Sequence, residues 1–230
     1  MTFIEHWEGK HLKDKIDNAF NHLHQKGFRH SIFAWNEWNS FASGTGAESI
    51  SQVKGLQKGG AIAIDKSRKL NWLLDVSHLD EVSFWDVYHK TNQPLIASHS
   101  NAYAICPHER NLKDDQLKAI AKRQGLIGLN AYPTFVDKQQ PSIDRFVDHV
   151  AYIADLVGTE YIAFGFDFVD YLATYEIGSS FSTQETIGLE NVTKIANLIE
   201  VMEKKGFTSR EIQAISFDNA FEFIKNNLKD

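Results

Sequence analysis

Two stretches of the chain end in the same pair of residues: LLDVSH closes on His78 and PLIASH closes on His99. Each is an apolar run stopped by Ser-His, and an imidazole in that place can ligate a metal ion or carry a proton. Between them, DEVSFWDVYHK sets Val82, Phe84, Trp85 and Tyr88 at helical spacing. A strand, a helical crossover and a second strand run parallel, which sends both histidines off the same C-terminal rim. A lone histidine ending a strand is more often a satisfied core residue than a ligand, but two on one rim can share an ion. Two neutral imidazoles plus one carboxylate, with a position left for water, is the pattern of a catalytic zinc site, and a bridging carboxylate suits two metals.

Other strand ends carry comparable groups. Glu5 or Glu8 follows the apolar TFI, Trp35 and Asn36 close SIFAW, Asn130 and Tyr132 close GLIGL, and Asp167 lies in GFDF. At the end of an apolar strand, desolvation would raise the pKa of Asp167 and a nearby cation would lower it, and either makes it a usable proton carrier; a loop or capping aspartate is the plainer reading. Arg110, in HERN after the second histidine strand, suits a bidentate grip on a carboxylate, against the plainer reading of a surface arginine. The glycines of SGTGAES neither follow a strand nor open a helix with dinucleotide spacing, so they carry no phosphate loop. The remaining eight histidines, His149 among them, lie on helices or loops and read as solvated surface.

A frame of alternating elements must hold these groups. Apolar strands near residues 3, 32, 74, 96, 128 and 163 alternate with helical stripes. The stripes run over Leu12 to Leu23, about Ile50 to Lys69, Val82 to Tyr88, Asp114 to Arg123 and Ser142 to Val157, and then through a helical C-terminal third with a Thr208 cap. Strands apolar along their whole length mark a buried parallel sheet in one α/β domain spanning residues 1–230. A doubly wound sheet gathers its site at one switch point, whereas a barrel gathers it from many strand ends. The scatter of polar groups here favours a (β/α)8 TIM-barrel type.

The composition narrows the partners. A net charge of −6 over 230 residues, with no Lys/Arg cluster, argues against nucleic acid or an anionic membrane as partner and for a small molecule or another protein. The lone Cys106 forms no internal disulfide and fits a reducing compartment as a small buried hydrophobe. MTFIEHWEGK lacks the basic start and apolar core of a signal peptide, so a cytoplasmic location is expected.

DVSH at 75–78, ASHSNAY at 97–103, RNLKDDQL at 110–117, GLIGLNAY at 125–132, HVAYIADLVG at 149–158 and GFDF at 165–168 together resemble the membrane (renal-type) dipeptidases, zinc hydrolases on a (β/α)8 barrel. The AWNEWN segment at 34–39 is similar to their bacterial branch. The resemblance implies two zinc ions bridged by a glutamate, Glu8 or Glu5, with His78 and His99 as ligands. It implies Arg110 on the substrate carboxylate, with Tyr132 and Asn36 beside the substrate, and Asp167 as acid/base near the amine. The family's first metal motif, His-x-Asp, is expected upstream of Glu8, so the chain reads as an N-terminally truncated barrel of about six strand–helix units with at most one complete zinc site. Many members have a histidine that polarises the scissile carbonyl where this chain has Trp35, so Asn36 or a metal takes that role or the role is absent. The expected activity is dipeptide hydrolysis. The alternatives are a non-catalytic remnant that oligomerises through its open sheet edges, for which a homo-oligomer is expected, and a metal hydrolase acting on cyclic amides.

Overall fold

In this computed structural model, residues 7–46, 53–174 and 184–228 are described. The strand expected near residue 3, Glu5 and the start of the helix expected from Ile50 lie outside them. The chain divides into two compact units, the first of residues 1–97, 122–125 and 223–230 and the second of residues 98–121 and 126–222.

The first unit opens with α1 (Leu12–Gln25), whose Leu12, Ile16 and Phe20 recur at one face of the helix and are buried. The Phe20 ring stacks 4.9 Å from Trp72, and the Trp72 indole N–H donates to His24 Nδ1 at 3.0 Å. β1 (His30–Ile32) pairs in parallel with β2 (Leu73–Asp75), His30 facing Leu73 and Ile32 facing Asp75. β2 pairs in parallel with β3 (Leu95–Ala97), Leu74 facing Leu95. These strands are joined by α2 (Lys58–Lys69) and α3 (Glu81–Lys90). α3 begins where it does because the Asp80 carboxylate accepts the Ser83 N–H at 2.6 Å. α2 starts on two glycines that lie flush against the preceding loop: a Cβ on Gly60 would stand 2.2 Å from the Phe41 carbonyl oxygen.

The second unit holds α4 (Asp114–Lys122, its last residue assigned to the first unit), β4 (Leu126–Leu129), the short α5 (Pro133–Val136), α6 (Ile143–Val157) and β5 (Ile162–Phe164). β4 and β5 are parallel, Ile127 facing Ile162 and Leu129 facing Phe164. Ser142 caps α6 by accepting the Arg145 N–H at 3.2 Å. Phe146, Val150 and Ile153 on one stripe of α6 are fully buried, each such side chain contributing about 1.5–3 kcal/mol. The C-terminal helices are α7 (Asn197–Lys205), α8 (Ser209–Gln213) and α9 (Asn219–Asn227). Thr208 and Glu211 form a full capping box at the start of α8. A π-helical turn over Ala214–Asp218 links α8 to α9.

Five parallel strands with intervening helices thus bear out the α/β, parallel-sheet expectation. All five fall where the apolar runs place them, though each is only three or four residues long. α5 escapes sequence reading because four residues show no period; Pro133 at its first turn starts it. No described helix is long and apolar enough to cross a membrane.

Candidate functional site

In the first unit, His78 stands three residues past β2 and is half-buried. Its φ of 69° lies in the left-handed region. Four described residues other than glycine have positive φ. Asn71 and Gln124 follow α2 and α4, where a left-handed residue ends a helix at low cost. His78 and Asp167 follow strands instead, where such a backbone costs of order 1–3 kcal/mol and persists only if the surroundings enforce it.

Hydrogen bonds around His78 enforce it. The Asp75 side chain is buried; it accepts the Ser77 N–H at 2.9 Å and pairs with His30 Nε2 at 2.8 Å. The His78 carbonyl accepts the Thr45 N–H at 2.9 Å. Asn36 Oδ1 lies 3.4 Å from His78 Nδ1. With the amide oxygen as acceptor, His78 donates from Nδ1 and its lone pair sits on Nε2, the tautomer suited to a ligand. The exposed Trp35 indole lies 6.2 Å from the imidazole, ring centre to ring centre. The SGTG glycines have a packing role here: a Cβ on Gly44 would stand 2.1 Å from the Trp35 carbonyl oxygen, and one on Gly46 2.8 Å from that of Asn36. Glu8 is exposed and lines a cleft of about 490 Å³ with Trp7, Trp38, Gln57 and Lys58.

In the second unit, His99 follows β3 by two residues, half-buried, with Ser98 Oγ 2.6 Å from its Nδ1. The Arg110 guanidinium is buried rather than surface-exposed. It donates to the His99 carbonyl at 3.3 Å and lies 5.4 Å from the centre of the Phe135 ring. The Arg110 N–H donates to His108 Nδ1 at 3.1 Å. Burial first, then the nearby Lys138 and Arg110 cations, push the His108 pKa down to about 4. Tyr132 is half-buried, 4.8 Å from Phe135. Asp167, with φ 56°, is exposed, so it is not the desolvated acid that its place after an apolar strand suggests.

Sequence reasoning missed the polar frame behind these groups. Asn101, fully buried, donates to the Asn130 carbonyl at 2.9 Å and accepts the Asn130 N–H at 2.8 Å. His149, read from sequence as surface, is fully buried. Its Nδ1 accepts the Ala102 N–H at 3.1 Å, and its Nε2–H donates to the Val136 carbonyl at 2.9 Å. Burial, the largest cause, pushes its pKa down to about 4, so it is neutral at pH 7. The usable signal was its fit to the apolar stripe of α6, three residues from Phe146 and four from Ile153. Cys106 is buried as expected.

Among the described residues, no three His, Cys, Asp or Glu side chains gather to hold an ion. Glu5 lies outside the described residues.

Known proteins are similar to this chain in sequence and fold. A Klebsiella pneumoniae protein encoded in the pqqA 5′ region is 29% identical over 98% of this chain and 82% of its own length. The dipeptidase aclJ of Aspergillus oryzae is 26% identical over 94% of this chain and 49% of its own. A metallo peptidase from Rhodobacter sphaeroides, solved with a phosphinate mimic of the dipeptide L-Ala-D-Ala, superposes with a TM-score of 0.78 at 24% identity, over 92% of this chain and 59% of that one. The chain therefore spans about half the length of the Aspergillus relative. The family model for membrane dipeptidase (peptidase family M19) matches residues 6–229, and the chain belongs to that family.

Proposed function

We propose that this chain is a zinc-dependent dipeptidase domain of (β/α)8 type, acting on dipeptides in the cytoplasm as a homo-oligomer. The observation that carries the reading is the pair of left-handed, strand-following residues, His78 and Asp167, in a chain of the dipeptidase family. Strain of that kind concentrates at working sites.

His78 and His99 each suit a metal by donor chemistry, and Glu8 or Glu5 would supply a carboxylate. Among the described residues, no three such groups stand together. When bound, zinc supplies a Lewis acid for the scissile carbonyl and for water. The chain's own groups position and protonate. Arg110, steadied against Phe135, fixes the substrate carboxylate; Tyr132 and Asn36 border the substrate; Asp167 exchanges a proton at the amine.

The test is hydrolysis of a dipeptide panel that includes L-Ala-D-Ala by the purified chain with added zinc, with bound metal measured by mass spectrometry. Turnover lost in Asp167→Asn and in Arg110→Ala supports the proposal. No turnover together with at most one zinc per chain refutes catalysis by this chain. That outcome supports a second reading, a non-catalytic oligomerising protein. Turnover of cyclic amides alone would point to an amidohydrolase.

A further inference from the structure

The end of β4 in the second unit carries a residue with no assigned role and an unusual number of partners. Asn130 is fully buried. Its backbone N–H and carbonyl are both taken by the Asn101 side chain. Its own side chain faces two ways: Oδ1 accepts the Tyr132 N–H at 2.6 Å, and Nδ2 donates to Asp167 Oδ2 at 3.2 Å. The strand pairing continues on either side of it, the Gly165 N–H donating to the Leu129 carbonyl and the Ala131 N–H to the Phe166 carbonyl, both at 2.9 Å. The backbone leading to Asp167 is therefore clamped up to the residue before it. An exposed aspartate would ordinarily sample its staggered rotamers. Here one carboxylate oxygen is held by a donor that is itself fixed by three hydrogen bonds.

We propose that Asn130 is the positioning residue of Asp167: it holds the carboxylate in one rotamer and, through Oδ1, fixes the Tyr132 turn to the same point. The proposal rests on the reading of Asp167 as the acid/base group, and it adds a residue that aims that group without touching substrate.

The experiment separates the two claims. Three-bond couplings about Asp167 χ1 are measured on the full chain with selectively labelled aspartate, assigned through Asp167→Asn. The wild type is expected to show the couplings of one rotamer. Asn130→Ser is the informative variant, because a serine oxygen can still accept the Tyr132 N–H but cannot reach Asp167. It is expected to show averaged couplings while the amide spectrum of the rest of the unit stays put. Averaged couplings in the wild type, or a single rotamer kept in Asn130→Ser, would overturn the proposal. In parallel, dipeptide turnover is expected to lose about tenfold in kcat, the cost of one misaimed group at about 1.4 kcal/mol, with KM unchanged. A tenfold rise in KM at unchanged kcat would overturn it as well. If neither protein turns over any dipeptide while the couplings behave as stated, the dipeptidase reading fails and the positioning stands.

Discussion

His149 offers the sharpest quantitative prediction because its environment fixes its protonation state. Both ring nitrogens are bound to backbone groups, one as acceptor and one as donor, and the residue is fully buried. Its pKa falls from an ordinary 6.5 to about 4 in the folded chain. As pH drops below 6.5, the unfolded chain takes up the proton first, so stability is lost as pH falls and the loss levels off only below pH 4. From the two pKa values, the loss attributable to this group is on the order of 1 kcal/mol at pH 5.5 and roughly 2–3 kcal/mol at pH 4.5. Replacing His149 with Phe keeps an aromatic ring but leaves the Ala102 N–H and the Val136 carbonyl without their partner, a cost of about 2–6 kcal/mol at pH 7.5. The variant cannot titrate at this site. The gap between wild type and variant should therefore narrow by roughly 2–3 kcal/mol between pH 7.5 and pH 4.5. Urea unfolding followed by far-UV circular dichroism at five pH values measures it. Should His149→Phe not fold, His149→Gln, which keeps a donor and an acceptor but does not titrate, serves the same purpose. A gap that stays constant over that range would refute the buried neutral imidazole.

Two further predictions test the local architecture. Gly165→Ala would put a Cβ 1.7 Å from the Ser98 carbonyl oxygen, a clash of backbone with backbone that no rotamer relieves. It should cost about 3 kcal/mol or more, and an unchanged thermal midpoint would refute the close approach. Thr208→Ala removes the hydroxyl that accepts the Glu211 N–H at the start of α8, and should lower stability by about 0.5–2 kcal/mol. Differential scanning calorimetry reads this as a shift of a few degrees, and no shift would mean that the capping box contributes nothing.

Much of the frame was legible because period and punctuation are local. The stripe Leu12, Ile16 and Phe20, the serine before α6 and the Thr208 cap each announce an element within a few residues. The strands were legible as apolar runs, but their true lengths were not, since pairing depends on neighbours remote in sequence. The same limit explains Glu8. Its place after the apolar TFI offers a carboxylate, and only the folded chain shows that it stands exposed in a cleft beside Trp7 and Trp38.

The sequence by itself determined the order of strands and helices, the family, and the identity of the groups at the strand ends, because these depend on residue type and spacing. Tertiary structure alone decided the left-handed backbone at His78 and Asp167, the burial of Arg110 and His149, and the asparagine frame joining Asn101, Asn130 and Asp167. Backbone strain and hydrogen-bond partners are set by atoms that approach across tens of residues. No local pattern in the chain records which partner will be there.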